Sequence, residues 1–123
     1  MPDPNFILLY VDSPAASAGF YTDLLGKPPV ESSATFAMFA LESGVMLGLW
    51  SRRTVAPAAT ALPGAGELAF ALADNAAVDR TFAAWRARGL SIAQDPTDLD
   101  FGHTFVALDP DGHRLRVFAP ATP

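Results

Sequence analysis

Phe6-Ile-Leu-Leu-Tyr-Val11 runs straight into Asp12-Ser13-Pro14, and the chain continues through Ala15 to Leu25 before reaching Gly26 and Pro28-Pro29. The opening run is short, apolar and rich in β-branched and aromatic residues, with Pro4 ahead of it, which reads as a buried strand. Ser13 stands where a helix N-cap belongs. Pro14 suits the first helical position, because its missing N–H would have no intrahelical partner there. Ala18, Tyr21 and Leu25 follow at helical spacing, Gly26 supplies a natural stop, and Pro28-Pro29 forbids continuation. The chain therefore begins strand, then helix.

Val30 to Leu41 reads as a strand with apolar residues on both faces, since Phe36, Met38 and Ala40 alternate with Ala37, Phe39 and Leu41. Glu42-Ser43-Gly44 is a hairpin turn, and Val45 to Trp50 is its partner strand. Arg52 to Gly66 is rich in proline, glycine and small residues and reads as a connecting loop. The pattern then restarts. Glu67 to Ala73 is a strand, and Asp74 caps a helix through Val78, Phe82, Trp85 and Arg86 that stops at Gly89. Ser91 to Gln94 is a short strand, and Asp95, Asp98 and Asp100 mark a solvated acidic loop. Phe101 to Leu108 is a strand, Asp109-Pro-Asp-Gly112 a turn, and Arg114 to Phe118 the last strand. One order of strand, helix and two or three strands thus occurs twice at a period of about 60 residues, which suggests an internal duplication. The expected division is a first module over residues 5–52, a linker over 53–65 and a second module over 66–119.

A chain of 123 residues, half of them hydrophobic, suits one α+β domain with a packed core. It has no cysteine, so disulfides, thiolate metal sites and a cysteine nucleophile are excluded. A net charge of -5 argues against a nucleic-acid partner, which needs a basic face to neutralise phosphates. No apolar run approaches the roughly 18 residues that span a bilayer, so no membrane partner is expected. Met1-Pro2-Asp3-Pro4-Asn5 carries no basic leader pattern, which sets the expectation of a cytoplasmic protein.

Three passages carry a resemblance. They are Tyr10-Val-Asp-Ser-Pro-Ala-Ala-Ser17 with Phe20-Tyr21-Thr-Asp-Leu-Leu-Gly26, then Gly66-Glu-Leu-Ala-Phe70 to Asp74, then Phe101-Gly-His-Thr-Phe105 running into Leu108-Asp-Pro-Asp-Gly-His-Arg-Leu115. In this order they resemble the glyoxalase, bleomycin-resistance and extradiol dioxygenase (vicinal oxygen chelate) superfamily, over nearly the whole chain. The resemblance implies two βαβββ modules forming an incomplete barrel around a small-molecule cavity, with helices outside. It also implies a homodimer whose cavity takes walls from both chains.

Metal-dependent members of that superfamily hold one divalent ion on His, Glu or Gln side chains from four strands. The matching positions here are Phe6 (or Asn5 in a shifted register), Gly48, Glu67 and Arg116. Only Glu67 is a credible ligand, and Arg116 puts a permanent cation where the metal would sit. Oxygen and nitrogen donors are required for that chemistry, so neither metal nor other cofactor is expected. His113, after the turn, reads as an exposed turn residue. His103 stands at a strand entry, where an imidazole could line the cavity mouth or be a hydrogen-bonded structural residue. No catalytic set can be assigned from spacing.

Residues in phase with those four positions point inward if the strands alternate regularly. They are Phe6, Leu8 and Tyr10, then Met46, Gly48 and Trp50, then Glu67, Ala69 and Ala71, then Arg114, Arg116 and Phe118. Together with Phe36 and His103 they describe an aromatic cleft. In it Phe6, Tyr10, Phe36 and Trp50 could stack on a planar ligand, and Gly48, Ala69 and Ala71 leave room. Arg116 and Glu67 either anchor polar groups of that ligand or pair with each other. Val11, Leu47, Leu49, Phe70, Leu115 and Val117, in the opposite phase, form the core, and so do Phe82 and Trp85.

Three functions fit these residues. The first is a metal-free protein that binds a planar or aromatic small molecule and sequesters an antibiotic or metabolite. The second is a lyase, isomerase or dioxygenase with a rearranged metal site on Glu67 and His103. The third is a structural or regulatory domain whose interior is filled by its own side chains. The first is the expectation carried forward.

Overall fold

The computed structural model of the chain describes residues 1–121. It divides into two compact units, Met1–Ala61 and Leu62–Pro123. Each is a βαβββ module with its own four-stranded sheet.

The first module contains β1 (Phe6–Val11), α1 (Pro14–Leu25), β2 (Glu31–Ser32), β3 (Phe36–Ala40) and β4 (Met46–Ser51). Its strand order is β1-β4-β3-β2, with β1 parallel to β4 and the other pairs antiparallel. The α1 start follows the sequence closely: the Ser13 side chain accepts from the Ala16 N–H, and Gly26 closes the helix at φ 72°. Pro14, Ser17, Ala18 and Tyr21 form the buried stripe. It packs on the sheet face that carries Ala37, Phe39, Leu47 and Leu49, and the Tyr21 ring meets Phe39 at 6.5 Å. The expected single strand from Val30 to Leu41 is two strands. Ser33 turns the chain by donating its N–H to the Phe36 carbonyl at 2.7 Å while its hydroxyl accepts from the Thr35 N–H. The turn folds the chain back so that Glu31 pairs with Met38 and Ser32 with Ala37.

The second module contains β5 (Glu67–Ala71), α2 (Asn75–Ala87), β6 (Ser91–Leu99), β7 (Gly102–Leu108) and β8 (Arg114–Pro120). Its order, β5-β8-β7-β6, repeats that of the first. Asp74 caps α2 by accepting from the Ala77 N–H at 2.8 Å. Trp85 and Phe82 meet Phe105 edge-on at 5.5 and 5.4 Å, and Phe70 closes on Trp85 at 6.0 Å. These rings, with buried Val78, Leu115 and Val117, are the core between helix and sheet. The expected acidic loop is instead largely strand: β6 continues through Asp95, Pro96 and Asp98 with two register shifts against β7. Pro96 is tolerated because β6 is an edge strand, where a missing N–H leaves no partner short.

Residues 52–66 form neither helix nor strand. No helix among the described residues is long and apolar enough to cross a membrane.

Candidate functional site

In the first module, the sheet face opposite α1 is uncovered and aromatic. Phe6, Leu8 and Tyr10 are 53%, 44% and 41% exposed, well above the buried alternation expected of a core strand. The parallel register sets Phe6 beside Met46, Leu8 beside Gly48 and Tyr10 beside Trp50, and the antiparallel register sets Phe36 on the other side of Trp50. Tyr10 and Trp50 meet edge to face at 6.4 Å. Phe6, Tyr10, Phe36, Met46, Gly48 and Trp50 therefore share one surface. The room expected at Gly48 is already filled: a Cβ built there would lie 2.6 Å from Leu8 Cδ2 and 3.0 Å from the Phe36 ring. Glycine is needed at that point so that Leu8 and Phe36 can close over the strand.

In the second module, Glu67 and Arg116 pair with each other. Arg116 donates from Nε and Nη2 to the two carboxylate oxygens at 2.8 and 2.9 Å, a bidentate fork. Its Nη1 donates to Thr104 Oγ1 at 3.2 Å, and the guanidinium lies 5.6 Å from the Phe101 ring centre. Hydrogen bonding to Arg116 holds the Glu67 carboxyl below its ordinary pKa, against a smaller opposing effect of burial. Phe101 meets Phe118 edge-on at 5.8 Å on the same side. Ala69 and Ala71, register partners of Arg116 and Phe118, leave a shallow exposed strip beside them.

His103 does not share that face. Thr104 points to Arg116, so His103, one residue earlier, points to the α2 side. There Nε2 lies 2.7 Å from Asp79 Oδ1 of α2 and Nδ1 lies 2.6 Å from Asp98 Oδ1 of β6. Hydrogen bonding first to Asp79 and then to Asp98 raises the imidazole pKa. A cavity of about 710 Å³ opens beside this clasp, between the start of α2 and the ends of β6 and β8, with Asp74, Leu99, Gly102 and Pro120 among its walls. His113 is not a free turn residue. Its Nδ1 lies 2.7 Å from Asp109 Oδ2, and Asp109 Oδ1 accepts the N–H groups of Asp111 and His113. Asp109, Asp111 and His113 bring donor atoms within 4.8 Å of one another, but these hydrogen bonds spend the Asp109 carboxylate on bracing the turn.

The β-strand phase places Phe6, Tyr10 and Trp50 on one face and Glu67 and Arg116 on another, and of the two roles left open for Glu67 and Arg116 the structure shows their pairing. The phase missed Phe101, which lies in the turn before β7, and the two aspartates on His103. Asp79 is 24 residues away from its partner, and no local signal connects them.

The duplicated βαβββ order is matched by known proteins. The family model described as the Glyoxalase/Bleomycin resistance protein/Dioxygenase superfamily matches residues 4–117. The chain belongs to this superfamily. It is similar to the phenazine antibiotic resistance protein EhpR of Enterobacter agglomerans, at 30% identity over 117 residues, covering 93% of this chain and 89% of that one. A protein of Agrobacterium tumefaciens solved by solution NMR is 55% identical with a TM-score of 0.91, covering 99% and 100% of the two chains. A glyoxalase/bleomycin resistance protein/dioxygenase from Nocardioides is 27% identical with a TM-score of 0.81, covering 98% and 84%.

At the positions that the resemblance assigns to metal ligands, the side chains are poor in donor atoms. Phe6 and Gly48 offer no donor atom. Both Glu67 oxygens accept from Arg116, which is itself the fourth position.

Proposed function

We propose that this superfamily member is a metal-free small-molecule-binding protein that takes up a planar aromatic compound and sequesters it, as a homodimer. The observation that carries the reading is the uncovered aromatic face of the first module. Phe6, Leu8 and Tyr10 stand exposed in one row, with Trp50 and Phe36 alongside. Exposed aromatic surface of this extent favours a flat apolar partner, because stacking adds to the gain from removing rings from water. The similarity to a phenazine antibiotic resistance protein points to the same ligand class. The donor-poor set at Phe6, Gly48, Glu67 and Arg116 supports binding without a metal.

Titration with phenazine, followed by tryptophan fluorescence and calorimetry, tests the proposal. Trp50 lies on the open face and Trp85 is buried in the core, so quenching is expected from Trp50 and should vanish in Trp50→Phe. Tyr10→Ala should weaken binding by about tenfold, the worth of one lost ring contact. Flat titrations, or a signal indifferent to both substitutions, would sink the reading. Stoichiometric zinc, nickel, manganese or iron in protein purified without chelator, lost on Glu67→Ala, would overturn its metal-free part.

An enzyme with a metal held jointly by Glu67 and His103 is the less supported reading. The two side chains lie on opposite faces of their sheet, each already bound to charged partners.

A further inference from the structure

We propose that His103 is the pin of a proton-operated latch in the second module: protonated, it ties the end of β6 and the flank of α2 to β7, and on losing its proton it releases β6. The device lies wholly within that module and is independent of what the first module's face binds.

Three elements meet at one ring. The register sets Asp98 of β6 and Ala119 of β8 on either side of His103 in β7, and α2 brings Asp79 from 24 residues away. Nδ1 lies 2.6 Å from Asp98 Oδ1, and Nε2 lies 2.7 Å from Asp79 Oδ1. An ionised carboxylate only accepts, so each bond needs an N–H on the ring, and only the imidazolium has two. The neutral ring keeps one N–H whichever tautomer it adopts. One carboxylate then faces a lone pair at hydrogen-bonding distance and must withdraw. Loss of the proton therefore breaks one tie outright instead of weakening both.

The surroundings decide which tie breaks. Asp79 sits beside buried Val78, and Val78 and Trp85 hold α2 on the sheet. The Asp98 side chain is 84% exposed, on an edge strand whose ladder to β7 shifts register twice before it. The arm that yields is β6, which leaves Nε2–H on Asp79. The ionisable groups around the ring all favour the closed state. From α2 come Asp79 and, at the helix start, Asp74; from β6 comes Asp98; from β8 comes only the apolar Ala119. Among the described residues no lysine or arginine lines the adjoining cavity. Hydrogen bonds first to Asp79 and then to Asp98 hold the imidazole pKa above its ordinary value. The latch is thus shut in acid and opens as pH rises through that raised value. Asp98 and Leu99 form the β6 wall of the cavity of about 710 Å³, and Asp74 to Ala76 form its α2 wall. Opening therefore widens the cavity and removes the one positive charge on its lining.

An NMR titration of the isotope-labelled full chain, following the His103 ring nitrogens and backbone amide exchange, tests this. His103 should titrate above 6.5, with its remaining proton on Nε2 at alkaline pH. The amides of Thr97, Asp98 and Leu99 should shift with the same midpoint. Their exchange, corrected for intrinsic base catalysis, should rise about tenfold across it, as for one lost charge-assisted hydrogen bond, while the Val78 and Trp85 amides stay protected. In Asp98→Asn the side-chain amide can accept from Nδ1–H or donate to a bare Nδ1, so the β6 response should disappear and the midpoint fall. A midpoint at or below the ordinary value, β6 amides that ignore it, or a β6 response that survives in Asp98→Asn overturns the latch. A proton left on Nδ1, with the α2 amides responding instead, overturns β6 as the releasing arm.

Discussion

Arg116 and Glu67 meet on a diagonal across neighbouring strands: Glu67 is the register partner of Arg114, yet its carboxylate is taken by Arg116. Diagonal neighbours on adjacent strands lie within reach of long side chains. The pair is only partly exposed, at 16% and 30% of the two side chains, so it contributes more than a surface ion pair. Glu67→Gln is expected to cost about 1–2 kcal/mol in urea unfolding, between the exposed and buried limits for removing one partner. Arg116→Met should cost a similar amount. The double variant should cost less than the sum, because neither residue is then left without its partner.

Acid and alkali are expected to act on different parts of the second module. The Glu67 pKa is lowered in the folded chain, chiefly by its bond to Arg116. Its contribution is present above the ordinary 4.5 and is lost as pH falls through the lowered folded value. The His103 pKa is raised, so its contribution is complete below the ordinary 6.5 and is lost as pH rises through the raised folded value. Thermal melts across pH should therefore show a decline on the alkaline side that disappears when Asp79 and Asp98 are both replaced by Asn. Glu67→Gln should flatten only the acid side.

Gly102→Ala should be among the most damaging single substitutions. Gly102 opens β7 at φ 149°, and an added Cβ would stand 2.0 Å from the Ala119 carbonyl oxygen of β8. Backbone cannot retreat as a flexible side chain can, so a loss of about 3 kcal/mol or more is expected. Gly48→Ala meets only the ends of Leu8 and Phe36 and should cost about 1 kcal/mol. Chemical denaturation of the two variants side by side checks the ranking, and equal losses would contradict it.

Asp109→Ala should loosen the β7–β8 turn. The carboxylate is fully buried and accepts two backbone N–H groups besides facing the His113 ring. Removing it strands those donors, at a cost of about 2–3 kcal/mol. Hydrogen exchange should speed up at the Asp111 and His113 amides before it does in the centre of β7.

Much of this molecule was legible from its residues because capping and alternation are local. Ser13-Pro14 and Asp74 placed both helix starts, and the opposite-phase positions Leu47, Leu49, Leu115 and Val117 are buried as the alternation requires. What escaped was non-local or broke the period. The turn at Ser33 folds the short polar strand Glu31–Ser32 back on Phe36–Ala40, and the apolar alternation of the second strand carries no mark of where the first ends. Pro96 and the acidic residues around it suggested a loop, whereas an edge position lets β6 absorb them with register shifts. For His103 both a place at a cavity mouth and a hydrogen-bonded structural role were open, and the imidazole, turned to α2 while Thr104 takes the Arg116 side, bonds to Asp79 and Asp98 beside a cavity that it helps to line. Whether Glu67 and Arg116 would meet depended on strand pairing between residues 49 positions apart, which spacing alone does not determine.

The identical strand order in the two sheets carries a design consequence. Each module carries its own backbone hydrogen-bond ladder, with its first strand docked on its last. Side chains on either open face can be exchanged without disturbing the other module's ladder. One copy of the motif was free to become an aromatic plate and the other a charged one, and an engineer wishing to change the preferred compound can rework one copy at a time.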